Sequence, residues 1–231
     1  ARGEFSSRIG FVLAASGSAV GLGNIWGFPS QVASNGGAAF VLMYLILAFL
    51  LAYPVLMAEL LIGRATKSNV VDALGQISKG RSGRFVGICG LITVSLILAF
   101  YGIVGGWMLA HALEALASLA GFTSLAQWLI SFSLSRNIIF CALFMFLTVG
   151  IVSGGVVNGI ERWSVRLMPT LFVIMVLLFA YVMTQQGAME GLKVYLLPDF
   201  AQALNPDLLI SAMGQAFFSM SLGVGTMLIY G

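Results

Sequence analysis

Ser16-Gly17-Ser18-Ala19-Val20-Gly21-Leu22-Gly23-Asn24, running on to Ile25-Trp26-Gly27-Phe28-Pro29, interrupts an apolar run that otherwise reads as a membrane-spanning helix. Glycine is about 1 kcal/mol per residue worse than alanine inside a helix, and serine competes for the backbone's hydrogen bonds. In lipid, an opened helix leaves N–H and C=O groups without partners, each costing several kcal/mol. Such a break survives only when buried in protein or beside a polar cavity. The stretch therefore marks a candidate site for a polar ligand at membrane depth, an ion or a small zwitterion. Two blander readings stand beside it. Gly17 and Gly21, four apart, suit a small-residue packing face. Gly21-x-Gly23 looks like part of a dinucleotide loop, but no strand precedes it.

The rest of the composition agrees with a membrane setting. Of 231 residues, 60% are hydrophobic and 8% charged, against about 25% charged in a soluble domain; mean hydropathy is +1.03. Apolar runs near 20 residues long indicate spanning helices rather than barrel strands. The first run is too long, and lacks the small-residue cleavage site, for a signal peptide. Cys89 and Cys141 stand alone and read as inert thiols. The basic residues cluster at membrane edges, which excludes a nucleic-acid partner.

The expected organisation is all-α and polytopic. A head (1–8) precedes five spans (9–183), the first of them unwound. A loop (184–207) leads to a sixth, broken apolar segment (208–231). Residues 70–74 form a short interfacial helix in a basic connection, and residues 121–136 are a serine-rich connection. Alternate threading puts Arg2, Arg8, Arg64, Lys67, Lys79, Arg81, Arg84, Arg162 and Arg166 on one side, and Arg136 and Lys193 on the other. By the positive-inside rule the N-terminus is cytoplasmic, in a plasma or bacterial inner membrane, and 184–207 is extracellular. Val20-Gly21-Leu22-Gly23 has an echo in Leu222-Gly223-Val224-Gly225, each with serines upstream. Paired glycine interruptions in corresponding halves point to a transporter site at a repeat interface. The first span runs outward and the sixth inward, which makes the halves an inverted pair.

At these residues the sequence resembles the neurotransmitter:sodium symporter family. The resemblance rests on 17–26, Phe28-Pro29, Asn35-Gly36-Gly37-Ala38-Ala39-Phe40, Glu59-Leu60-Leu61-Ile62-Gly63-Arg64, Tyr101 with Trp107, and 215–225. It implies the first five-helix repeat and the start of the second in an inverted-repeat fold. It also implies sodium-coupled transport of an amino acid or amine by alternating access. The Ala19 carbonyl, Asn24 and Ser219 then match ligands of one sodium, and the Gly17 and Val20 carbonyls half of a second site. Ser18, Ala19, Gly21 and Gly23 match the backbone that meets the substrate. Tyr101 matches the tyrosine that holds its carboxylate, with Ile97 one turn before, and Phe218, Ser219, Ser221 and Val224 match the side-chain pocket. Tyr44, Gln215 and Ser219 fall where chloride-dependent members build an anion site, though the deciding position lies beyond this chain. Arg2 and Phe5, the latter in place of tryptophan, match an inner latch. The family needs about ten core spans, so the second-repeat helices are expected as partners, along with the bilayer.

The donor chemistry fits these roles. Sodium is a hard cation that takes oxygen ligands, and a half-helix N-terminus suits a carboxylate. Two positions depart from the family. Gly27 stands where arginine serves the outer gate, so no salt-bridged gate is implied there. Val224 replaces a bulkier aromatic, which makes room for a larger side chain, and Val224 with Ile97 suggests an apolar or aromatic substrate.

Glu59, the single acid deep in a span, reads as structural support, accepting N–H groups freed by the breaks; a proton relay and snorkelling are its alternatives. His111 reads as interfacial. Paired with Ser16 or Ser18 it would make the minimum of an intramembrane serine hydrolase, but it sits near the outer interface, above the serines. A third reading is a half-transporter, incompetent alone, acting as a membrane scaffold or regulatory partner.

Overall fold

Prolines explain two of the irregularities in the helices. The computed structural model describes residues 5–198 and 205–231; the expected latch residue Arg2 lies outside them. The first span is α1 (Arg8–Ala19), a π turn (Gly23–Gly27) and α2 (Phe28–Ser34). The second is α3 (Ala38–Leu47), a π turn (Ala48–Ala52) and α4 (Tyr53–Thr66). In both, the residue after the π turn is followed at once by proline, Pro29 or Pro54. Proline has no N–H for the carbonyl four residues back. The wider i→i+5 closure lets the preceding residues keep their ladder, as where the Phe28 N–H reaches the Gly23 carbonyl.

The chain continues through α5 (Val70–Ile77), α6 (Arg81–Leu119), α7 (Thr123–Ile130) and α8 (Leu134–Ser153). A third π segment (Val156–Glu161) leads into α9 (Arg162–Met183). Then come α10 (Ala188–Leu196), α11 (Pro206–Ser219) and α12 (Thr226–Tyr230). Among the described residues, four continuous stretches are long and apolar enough to cross a membrane: Ala38–Thr66, Arg81–Leu119, Leu134–Ser153 and Val156–Met183. Arg8–Ala19 and Gly23–Ser34, bent by 57° at their break, make a fifth. The connections 121–136 and 184–207 contain α7 and α10, short helices that lack a signal in the sequence beyond a brief apolar pattern.

The break in the first span is narrower than glycine and serine content suggests. Ser16 to Ala19 stay helical, and the Val20 N–H still reaches the Ser16 carbonyl at 2.8 Å. Val20 itself is extended (φ −88°, ψ 103°), so residues 20–22 carry the interruption. Serine at 16 and 18 is tolerated because the ladder continues beneath it.

Close helix packing depends on glycine. A Cβ at Gly106 of α6 would stand 2.7 Å from the Cys141 nitrogen of α8, and one at Gly87 would stand 2.7 Å from Val71 Cα of α5. These contacts seat α8 and α5 flat on α6. The second span packs on the sixth segment through small residues: Ala48, Ala52 and Ala216 cluster with Leu222 and Met227, and Ala39 and Phe40 with Leu208 and Ala212.

Candidate functional site

Two interrupted segments meet at the centre of the molecule. Between α11 and α12 the chain passes through Ser221 (φ 53°), Gly223 (φ 82°) and Gly225 (φ 80°), three left-handed residues in five. Glycine takes that conformation without strain; serine takes it at a cost. The echo 20–23/222–225 thus marks a real interruption in each segment.

Partners for the opened backbone come from the break itself and from distant parts of the chain. The Ser221 hydroxyl donates to the Ser18 carbonyl at 3.0 Å. Asn24 Nδ2 donates to the Ala19 carbonyl at 2.7 Å, and Gln215 Nε2 to the Gly23 carbonyl at 3.2 Å. Glu59 Oε1 accepts the Gly223 N–H at 2.7 Å. Its second oxygen is buried and makes no hydrogen bond, while the carboxylate as a whole faces the Met227 and Leu228 N–H groups at the start of α12. These contacts meet the requirement that a broken span in lipid satisfy its polar groups inside the protein.

Around the breaks lies a cavity of about 410 Å³. Every residue the sequence assigns to substrate lines it, from Ser18, Ala19, Gly21 and Gly23 through Ile97 and Tyr101 to Phe218, Ser219, Ser221 and Val224. So do Gly17, Val20 and Asn24, assigned with Ala19 and Ser219 to sodium. The Tyr101 hydroxyl sits over Gly21, where a Cβ would be 3.0 Å away. Gly23 has the Phe218 ring pressed against it, with no room for a Cβ. Among the described residues no three His, Cys, Asp or Glu side chains gather; the donors here are neutral carbonyls, hydroxyls and an amide. Phe144 and Thr148 of α8 also line the cavity. Sequence reading missed both, since they look like ordinary span residues.

The expected anion residues are neighbours. Tyr44 OH and Ser219 Oγ share a hydrogen bond of 2.9 Å, while Gln215 turns to Gly23. Phe5 packs edge-on against Phe11 (centroids 5.5 Å apart) and Tyr230 (5.7 Å), joining the head to α12. His111 Nδ1 meets the Trp107 carbonyl at 2.8 Å on an exposed face, away from Ser16 and Ser18. Gly27 has no atom within 4 Å of where a Cβ would be.

A second polar cluster carries no signal in the sequence, where Glu161-Arg162 reads as a charged turn. The Ser6 N–H and hydroxyl donate to the Glu161 carboxylate at 2.7 Å each, and the Ser7 hydroxyl at 2.9 Å. Ser7 also caps α1 by accepting the Gly10 N–H at 2.9 Å. Glu161 is buried, and Gly10 runs so close to its carboxylate that no Cβ fits. Ser6-Ser7 ahead of an apolar run does signal a helix start; a partner more than 150 residues away has no local trace.

Two broken segments that converge on one cavity, among several helices long and apolar enough to cross a membrane, define a polytopic helical membrane protein. The profile of the sodium:neurotransmitter symporter family matches residues 2–131 and 130–231, and the chain belongs to that family. It is 40% identical, over 98% of its length, to the uncharacterized sodium-dependent transporter YhdH of Bacillus subtilis, of which it covers 51%. It is 28% identical to the sodium- and chloride-dependent taurine transporter of Rattus norvegicus, covering 43% of that protein. The crystal structure of MhsT in complex with L-phenylalanine superposes on all of this chain with a TM-score of 0.84 and 38% identity; the chain covers 53% of MhsT. The chain thus spans about half the length of the relatives it matches.

Proposed function

We propose that this chain, with the helices its longer relatives carry, forms a sodium-coupled secondary transporter of an apolar or aromatic amino acid, working by alternating access. The observation that carries this reading is the convergence of two broken segments on one largely apolar cavity that also holds neutral oxygen donors and Tyr101. In it the Ala19 carbonyl, Asn24 and Ser219 bind one sodium, and Gly17 and Val20 contribute to a second. Asn24 is well placed: a half-turn of its amide exchanges Nδ2 for Oδ1 beside the Ala19 carbonyl, so both oxygens can face a cation. The Tyr101 hydroxyl holds the substrate carboxylate above Gly21. Carboxylate and sodium each lower the cost of burying the other, which couples their binding. Phe218 and Val224 leave room for a large apolar side chain, in keeping with the phenylalanine bound to MhsT. Glu59 holds the break of the sixth segment, Phe5 belongs to an inner latch, and the N-terminus is cytoplasmic, as the charge bias supports.

The test is binding of radiolabelled L-phenylalanine and other amino acids to purified full-length protein in sodium or potassium. Sodium-dependent binding is expected. Asn24→Ala and Ser219→Ala should each weaken apparent sodium affinity about tenfold, the loss of one coordinating oxygen taken as about 1.4 kcal/mol. Binding indifferent to the exchange of sodium for potassium would overturn the reading.

A further inference from the structure

The corner between α5 and α6 carries charge that the transport site does not use. Lys79, Arg81 and Arg84 are exposed there, and none forms an ion pair among the described residues. The nearby acid, Asp72, is engaged at the other end of α5, where its carboxylate accepts Asn69 Nδ2 at 2.7 Å and its N–H donates to Asn69 Oδ1 at 2.9 Å. Arg81 and Arg84 open a 39-residue helix whose first turn has no acidic residue and no side-chain cap. The helix dipole adds positive potential at that end. Apolar side chains flank the cations: Ile77 is 51% exposed and Phe85 68%. Cations set among bare apolar groups suit neither bulk water nor hydrocarbon. They match the headgroup layer of an anionic bilayer, where phosphates meet the charges and the acyl boundary meets the rings and methyls.

We propose that this corner docks onto the anionic phospholipid headgroups of the bilayer and so anchors α5 as an interfacial helix. The anchor bears on the broken sixth segment. The Arg84 stem crosses α5 at Gly75, where a Cβ would stand 2.7 Å from Cγ. At the start of α5, Val70 covers Gly225, where a Cβ would be 2.7 Å from either Val70 methyl. A largely apolar cavity of about 330 Å³ lies between α5, α6 and the segment that follows the break. Headgroups that hold the corner therefore brace the inner flank of the break, whatever solute the protein carries.

The experiment compares thermal unfolding of the purified full-length protein in phosphatidylcholine nanodiscs with and without phosphatidylglycerol. Phosphatidylglycerol should raise the midpoint by roughly 2–4 °C, and high salt should abolish the rise. Lys79→Gln/Arg81→Gln/Arg84→Gln should remove the rise and leave the phosphatidylcholine midpoint unchanged. Lys79→Gln alone, at an exposed position outside any helix, should reduce it and serves if the triple variant fails to assemble. Inorganic phosphate added to phosphatidylcholine discs should reproduce none of it. A wild-type protein with no rise, variants that keep it in full, or a rise produced by phosphate alone would each overturn the proposal.

Discussion

Ser221 keeps a left-handed backbone while its hydroxyl reaches the Ser18 carbonyl at 3.0 Å. The two effects separate by mutation. Ser221→Ala keeps the strain and leaves that carbonyl unpartnered, costing about 1–3 kcal/mol. Ser221→Gly loses the same bond but relieves the backbone, so it should unfold at a higher temperature than Ser221→Ala. Gly10→Ala should destabilise by about 1–3 kcal/mol, since its methyl has to displace the Glu161 carboxylate. Glu161→Gln should free the head, because its amide presents a donor to serine hydroxyls that already donate; limited proteolysis before α1 should speed up while the cavity's ligand binding stays in place. The glycine and serine interruptions were conspicuous inside apolar runs, but Tyr101, Ile97 and Phe218 look like ordinary core residues and were picked out only by the family resemblance. Glu161 was not legible, because a carboxylate beside an arginine in a turn looks solvated until the fold brings Ser6 and Ser7 to it.

Helices were legible by length and hydropathy, and their irregularities only in part. The glycine echo located both interruptions. Their extent followed from hydrogen bonding: Ser16 to Ala19 remain in register, which composition alone does not show. The three π segments leave no periodicity of their own; Pro29 and Pro54 mark two in retrospect. Contact between elements offers its own test. A Cβ at Gly63 of α4 would collide with the Leu228 carbonyl of α12. Gly63→Ala should therefore push α12 outward, lower stability by about 1–3 kcal/mol and weaken sodium-dependent amino-acid binding, although Gly63 is no part of the cavity lining. Calorimetry and a binding isotherm on one preparation would check both effects.

Across the whole molecule, the spans are thinly covered by the rest of the chain: at most 17% of any continuous span's apolar window is buried. That suits surfaces meant for lipid and for the helices that longer relatives possess. Span count and family were readable from sequence, whereas the packing partners of α9, with Phe172 71% exposed, were not, since apolar residues facing lipid and apolar residues facing protein look alike. Orientation is open to direct test. In a Cys89→Ser/Cys141→Ala background, a membrane-impermeant thiol reagent should label Gln185→Cys in intact cells and Ser82→Cys only after permeabilisation. The reverse pattern would invert the topology. Tyr101 is the twenty-first of the 39 residues of α6, with about 30 Å of helix on either side. A hydroxyl so close to the middle of its helix is favoured toward neither end by position. On the sodium-coupled reading proposed above, the direction of net flow is set by the unequal chemical potential of the cation outside and inside, and reversing that gradient should run the same machinery backwards.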